Sequence, residues 1–246
     1  MFAGPNGSGK STLKTVLPQE LLGVYLNADE IEADVNQTGI LDVRAYQVIP
    51  DTDVDRRICQ FFRNSTLIRT AGLENAAMQI QALNGVFDFS QVPMNSYFAS
   101  VAADFLRQHL LKQQTSFTME TVMSSIDKVE LLAKAKQIGY RTYLYYIATD
   151  DPEINKSRVR NRVLQGGHAV PEDKIVSRYH RSLSLLMPAI RHADRAYIFD
   201  NSGHNTERTW LAEITDGHTL EIKTDQIPEW FKSAVLRYFI SDASLP

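Results

Sequence analysis

One cysteine, Cys59, is the only thiol in the 246 residues. An internal disulfide is excluded, and the six histidines show neither an HExxH pair nor a CxxC companion that would mark a zinc site. This usage fits a reducing compartment and predicts a cytoplasmic protein. No stretch reaches the roughly 18 consecutive apolar residues of a membrane span, and the first residues hold no basic segment followed by an apolar one. A soluble, unexported chain with no membrane partner is expected. A charge excess is missing too: the formal charge of −3 offers no basic field for gripping nucleic acid. Repeats and low-complexity tracts are absent. The 43% of hydrophobic residues suffice for a full core, and one large α/β domain over 1–246 is expected, with an insertion at about 36–95.

Against this plain background, GPNGSGKST at residues 4–12 stands out. Gly4, Gly9, Lys10 and Ser11 fill the pattern GxxxxGK[ST], with Pro5, Asn6, Gly7 and Ser8 between the glycines and Thr12 after them. In such a loop the backbone N–H groups turn inward around phosphate, the lysine reaches the β/γ-phosphates and the hydroxyl takes a place on Mg²⁺. Residues 4–12 are therefore read as a nucleoside triphosphate cradle with Ser11 as the metal ligand. Met1, Phe2 and Ala3 supply a strand before it, and Ser11 to Leu17 a helical run stopped by Pro18. Three residues make a short strand where five or six are usual, so either the start is incomplete or the edge is completed otherwise.

Further along, GVYLNADEI (23–31) reads as a β-rich run that places Asn27 and Asp29 at a strand's carboxyl end, where open α/β sheets bind ligands. From about 36 to 95 the pattern is weak. SYFASVAADFLRQHLLKQQ (96–114) carries a helical apolar stripe, and SFTMETVMSS (116–125) a strand bearing Glu120. An amphipathic helix at 128–140 precedes RTYLYYIAT (141–149), a strand buried on both faces. DDPE (150–153) starts an arginine-rich helix that breaks at Gly166 and Gly167. A helix over 171–193, a strand over 195–203, a hairpin turning on Asp216 and Gly217, and a helix over 229–240 complete the chain. Strands alternating with helices predict a doubly wound, mostly parallel sheet.

A P-loop alone does not select a reaction. The LSGGQ signature of ABC-type ATPases and an NKxD guanine-reading motif are both lacking. ETVMSS, then GYRTYLYYIATDDPEINKSRVRNRVLQGGHAVPEDKI, then DRAYIFDNSG together resemble the zeta-toxin family of P-loop kinases, in particular its stand-alone bacterial branch. The resemblance covers residues 2–35 and about 97–203. It implies an ATP- and Mg²⁺-dependent kinase acting on a hydroxyl of a small acceptor. In the better-known branch that acceptor is UDP-N-acetylglucosamine, and some members are toxins restrained by an antitoxin partner.

Carried over by residue, the resemblance implies that Lys10 holds the β/γ-phosphates and that Asp29 is the base accepting the acceptor's proton. It implies that Glu120 contacts substrate, with Asn27 and Thr121 beside the two carboxylates on the acceptor side. Arg158 and Arg162, four apart on one helix face, are the expected lid over the migrating phosphoryl, while Arg160 points elsewhere. For Asp29 a helix cap or solvated turn is the plain alternative, for Glu120 a surface carboxylate, and for the arginines a solvated face paired with acids. His168 serves equally well as a nucleotide contact or a turn residue. Departures touch the acceptor side: Glu120, Thr121 and Val122 stand where sugar-nucleotide kinases place a glycine after the glutamate, and the Arg and His-Pro that follow the aspartate in the toxin branch are missing. An ATP-binding switch without acceptor, and a polynucleotide kinase, are the rival readings.

Overall fold

The computed structural model describes residues 1–50, 53–167, 169–203 and 208–242; His168 lies outside them. In chain order, β1 (Phe2–Ala3) leads into the loop and a 3₁₀ helix over Lys10–Val16, then α1 (Gln19–Leu22), β2 (Val24–Leu26), α2 (Ala28–Thr38) and β3 (Ile40–Asp42). Next come α3 (Val54–Arg63), α4 (Thr66–Thr70), α5 (Glu74–Ala77), β4 (Gln81–Leu83), β5 (Val86–Asp88) and α6 (Ser96–Lys112). Then follow β6 (Phe117–Thr121), α7 (Asp127–Gln137), β7 (Tyr143–Ala148), α8 (Pro152–Leu164), α9 (Glu172–Ser184) and α10 (Leu186–Arg191). The order closes with β8 (Arg195–Asp200), β9 (Thr209–Thr215), β10 (Thr219–Ile222), α11 (Glu229–Phe231) and α12 (Arg237–Asp242), the last two joined by a π turn over Lys232–Leu236.

Seven strands form the main sheet in the order β10-β9-β8-β7-β1-β6-β2, and a small sheet has the order β3-β5-β4. Pairing is parallel from β8 through β7, β1 and β6 to β2, and antiparallel at β9 and β10. The protein thus has the mostly parallel α/β architecture expected. The chain divides into two compact units, one of Met1–Pro18 with Glu120–Pro246, the other of Gln19–Met119.

In the first unit β1 has only two residues, yet each pairs on both sides: Phe2 with Glu120 and Tyr145, Ala3 with Thr121 and Tyr146. Phe2 is 1% exposed and meets the Tyr145 ring edge-on at 5.6 Å between centroids. The ladder continues beyond the strand, with Tyr145 N–H donating to Met1 O and Gly4 N–H to Thr121 O. The two-residue strand is thus central and wholly buried. The core around it takes Tyr146, Ala148, Ile198, Leu211, Trp230 and Phe231. Strand β7 is buried at every position after Tyr143, as its unbroken apolar run predicts. The loop between β9 and β10 has Asp216 at φ 51° and Gly217 at φ 78°, and His218 N–H donates to Thr215 O across them.

Two helical segments differ from expectation. The run after the glycine-rich loop winds as a 3₁₀ helix. The single helix expected over 171–193 breaks at Leu185, because Pro188 has no N–H to give the Ser184 carbonyl four residues back.

In the second unit, β2 pairs in parallel with Phe117–Met119 of β6. Thr118 Oγ1 donates to Leu22 O at 2.7 Å beside that pairing. The segment read as an insertion, 36–95, lies wholly in this unit. It is ordered around aromatic contacts: Phe62 packs edge-on against Phe89 and tilted against Phe98, and Phe87 is fully buried. Asp55 of α3 accepts from the N–H groups of Asn84 and Gly85, which pins the β4–β5 turn to the helix.

Candidate nucleotide site

The loop leaving β1 is the centre of the first unit's polar residues. Lys10, 8% exposed, folds back over the loop and donates from Nζ to Pro5 O at 2.9 Å. Ser11, exposed, donates from Oγ to Glu120 Oε1 at 3.4 Å. That contact follows from topology, because β6 lies beside β1 and presents Glu120 in register with Phe2. Thr12 donates to Gly9 O at 2.8 Å and accepts from Arg208 Nη1 at 2.9 Å. The same guanidinium reaches Thr12 O and Thr15 Oγ1.

Inside the loop, the carbonyls of Asn6 and Ser8 accept from the side-chain amides of Asn155 at 2.6 Å and Asn201 at 2.8 Å. The following residues, Gly7 and Gly9, have φ of 75° and 99°, which favour glycine. A Cβ on Gly7 would meet Asn155 O at 2.6 Å, and one on Gly9 would meet Asn201 Nδ2 at 2.5 Å. Asn6 Oδ1 and Ser8 Oγ are buried with no partner among the described residues.

The expected lid residues lie on α8, whose cap is Asp151 with Pro152 in the first turn. Arg158 donates from Nη2 to Gly203 O at 3.0 Å, while its buried Nη1 has no partner among the described residues. Burial lowers the pKa of this guanidinium, with Asp200 acting in the opposite sense. It keeps its charge, since arginine starts so high. Arg162 is exposed at the end of the helix, its stem against Gly167. Arg160 turns to Glu172, with Nε and Nη2 on Oε1 at 2.8 and 2.6 Å.

The remaining acceptor-side residues have local partners. Thr121 Oγ1 accepts from Met123 N–H at 3.0 Å, and its carbonyl accepts from Gly4. In the second unit Asn27 caps α2, its Oδ1 accepting from Asp29 N–H at 2.9 Å, and Asp29 is exposed in the first turn just past β2.

Three residues escaped the sequence reading: Asn155, Asn201 and Arg208. Asn155 hides among the arginines of α8. Asn201 follows directly on the buried strand β8, and a polar residue just past a parallel strand is a legible signal. Arg208 has no such marker.

The model of the family described as Zeta toxin matches residues 90–207. Residues 90–207 are thus similar to that family. A protein of Haemophilus influenzae, described as uncharacterized, is 25% identical over 178 residues, which span 72% of this chain and 89% of that protein. The crystal structure of AvrRxo1-ORF1:AvrRxo1-ORF2 with sulphate ions is similar at a TM-score of 0.51 and 16% identity. That match covers 91% of this chain and 60% of the solved chain. The corresponding structure with ATP gives 0.49 and 16%, covering 100% and 64%. The chain thus spans less than two thirds of the solved chains it matches.

Proposed function

We propose that this protein is an ATP-dependent phosphotransferase that moves the γ-phosphoryl group to a hydroxyl of a small acceptor. The observation that carries the proposal is the meeting of Ser11 and Glu120 beside a loop on which Lys10 is already folded. A hydroxyl and a carboxylate side by side are hard oxygen donors and fit Mg²⁺. Ser11, with Glu120 next to it, would hold the ion. When bound, Mg²⁺ neutralises charge on the β- and γ-phosphate oxygens.

The chain's own residues then do the following. Gly4, Ser8 and Thr12 use their N–H groups on Thr121 O, Pro5 O and Gly9 O, so the remaining N–H groups between Asn6 and Ser11, with the Lys10 ammonium, bind the phosphates. The acceptor hydroxyl oxygen bonds to the γ-phosphorus as the bond from that phosphorus to the β–γ bridging oxygen breaks, and ADP leaves with that oxygen. The acceptor's proton passes to Asp29, which stands past a parallel strand's carboxyl end. Arg158 and Arg162 stabilise charge on the migrating group. Asn27, Glu120 and Thr121 line the acceptor side.

The acceptor class implied by the family resemblance is a nucleotide sugar such as UDP-N-acetylglucosamine, and the departures around Glu120 to Val122 and after Asp29 argue for a changed pocket. We take residues 1–246 as one kinase domain with an insertion at about 36–95. A cytoplasmic location, supported by the free Cys59, and a protein antitoxin belong to the same reading. Among the described residues no helix is long and apolar enough to cross a membrane.

The test is incubation with ATP and a metabolite extract, followed by intact-mass screening. A product heavier by one phosphoryl group, formed with ADP, supports the kinase. ADP and free phosphate with no new product favour the switch, and phosphorylated oligonucleotides with no small product favour the polynucleotide kinase.

A further inference from the structure

We propose that Asn155 and Asn201 are positioning residues that hold the phosphate cradle in its anion-accepting form by anchoring two of its carbonyls. This rests on the reading of residues 4–12 as a triphosphate site. A nest of N–H groups faces an anion only if the intervening carbonyls face away from it. Carbonyls turned away from the ligand point into protein, and a buried carbonyl without a donor costs free energy. The two asparagines supply the donors at alternate positions, Asn155 Nδ2 to Asn6 O and Asn201 Nδ2 to Ser8 O. At each position the next residue is a glycine in the left-handed region: a Cβ on Gly7 would meet the backbone of Asn155, and one on Gly9 the side-chain amide of Asn201. Each glycine thus allows the close approach that brings the amide to the carbonyl before it.

The surroundings fix both amides. Asn155 and Ser8 are 0% exposed, so water cannot replace the bonds at Ser8 or turn Asn155 outward. Asn155 Oδ1 accepts from the hydroxyl of Thr149, also 0% exposed, which commits Nδ2 to the loop. Tyr179 of α9 donates to Thr149 O at 2.7 Å and extends the chain of contacts to a further helix. Asn201 is held at the end of β8 by its own N–H, which donates to Ala148 O at 2.8 Å. The clip on one side is carried by the helix that bears Arg158, and on the other by the strand whose following loop receives Arg158 at Gly203. A cradle set in advance binds phosphate without reorganising.

The experiment compares the wild type with Asn155→Leu, Asn201→Leu and the double variant. Leucine fills similar space without a donor. Dissociation constants are measured by calorimetry for ATP with Mg²⁺ and for inorganic tripolyphosphate, alongside the melting temperature without ligand. Each single change is expected to weaken both ligands by about tenfold, the size of one lost hydrogen bond. The double variant should lose less than the product of the two, since both bonds set one loop. Asn155→Asp and Asn201→Asp, which keep the shape and replace the donor by an acceptor, should lose at least as much and serve if the leucine variants do not fold. A lower melting temperature with unchanged ligand affinity would mean that the asparagines only pack, and overturns the proposal while leaving the nucleotide site standing. A wild type that binds neither ATP nor tripolyphosphate overturns both.

Discussion

Ser11 Oγ donates to Glu120 Oε1 across 3.4 Å, so the hydroxyl next to Lys10 meets the carboxyl end of β6. The contact is long for a hydrogen bond between oxygens. Two oxygens at that separation gain more from a shared cation than from each other. Glu120→Gln keeps the shape and removes the charge. It should raise the Mg²⁺ concentration needed for half-maximal phosphoryl transfer by about tenfold or more, with ATP affinity in the absence of metal within a few-fold of wild type. A metal titration of transfer, paired with metal-free calorimetry, checks this. An unchanged Mg²⁺ requirement would return Glu120 to the acceptor side alone.

Phe2 contributes half of a central strand. It is 1% exposed and pairs with both β6 and β7, so Phe2→Ala leaves a cavity against Tyr145. Large-to-small changes of this kind cost about 3–5 kcal/mol, and denaturant unfolding should show a loss in that range. A loss below about 1 kcal/mol would mean that the neighbouring strands hold the sheet without β1.

Lys10 rests on Pro5 O at 2.9 Å, and that bond must be given up for phosphate. Lys10→Ala removes a hydrogen bond from a charged group, worth about 1.5–3 kcal/mol in the free protein, so the melting temperature without ligand should fall by a few degrees. A ligand at a hundred times its dissociation constant adds about 2.7 kcal/mol. That ATP-induced rise in melting temperature should largely vanish in the variant, together with transfer. Thermal scans with and without ATP read both effects.

Arg158 and Arg160 stand two residues apart on α8 and have different surroundings. The buried Nη1 of Arg158 has no partner among the described residues, whereas Arg160 is bound to Glu172 at the surface. Arg158→Ala should lower kcat by about 10² to 10³, as for loss of one preorganised donor. Arg160→Ala should be nearly silent in kcat and cost at most about 1 kcal/mol in stability, as exposed pairs do. Arg162→Ala is expected to follow Arg158. Equal losses at all three positions would point to general electrostatics.

Long buried strands such as β7 and β8, the P-loop and the cap of α8 are legible in the sequence, because each is encoded by adjacent residues. In the second unit β2 and α6 are legible for the same reason, but the segment 36–95 is not, because its strands have three residues each and its order comes from phenylalanines far apart in sequence, such as Phe62 and Phe98. Asn27 illustrates an ambiguity: the polar end of a strand is also a helix cap, and α2 begins there. Asn155 and Asn201 could not be tied to the loop at all, since nothing in the local pattern relates residues about 150 and 190 positions apart to it.

Asp29 decides between kinase and switch. Its N–H is already used in the cap by Asn27, while the carboxylate is exposed in the first turn of α2. A carboxylate serving as acceptor base touches the nucleotide only through the acceptor or the metal, so Asp29→Asn should leave ATP affinity within a few-fold. General-base assistance is worth about 10² to 10⁴ in rate, and its loss should appear in single-turnover transfer with the acceptor bound. In a switch there is no hydroxyl to deprotonate; Asp29 would then serve the metal or the attacking water, and its loss would weaken ATP binding and basal hydrolysis together. Calorimetric affinity and single-turnover transfer are therefore measured on the same two proteins, wild type and Asp29→Asn. Retained binding with lost transfer supports the phosphotransferase. Parallel loss of both, with no acceptor found, overturns the base assignment and favours the switch.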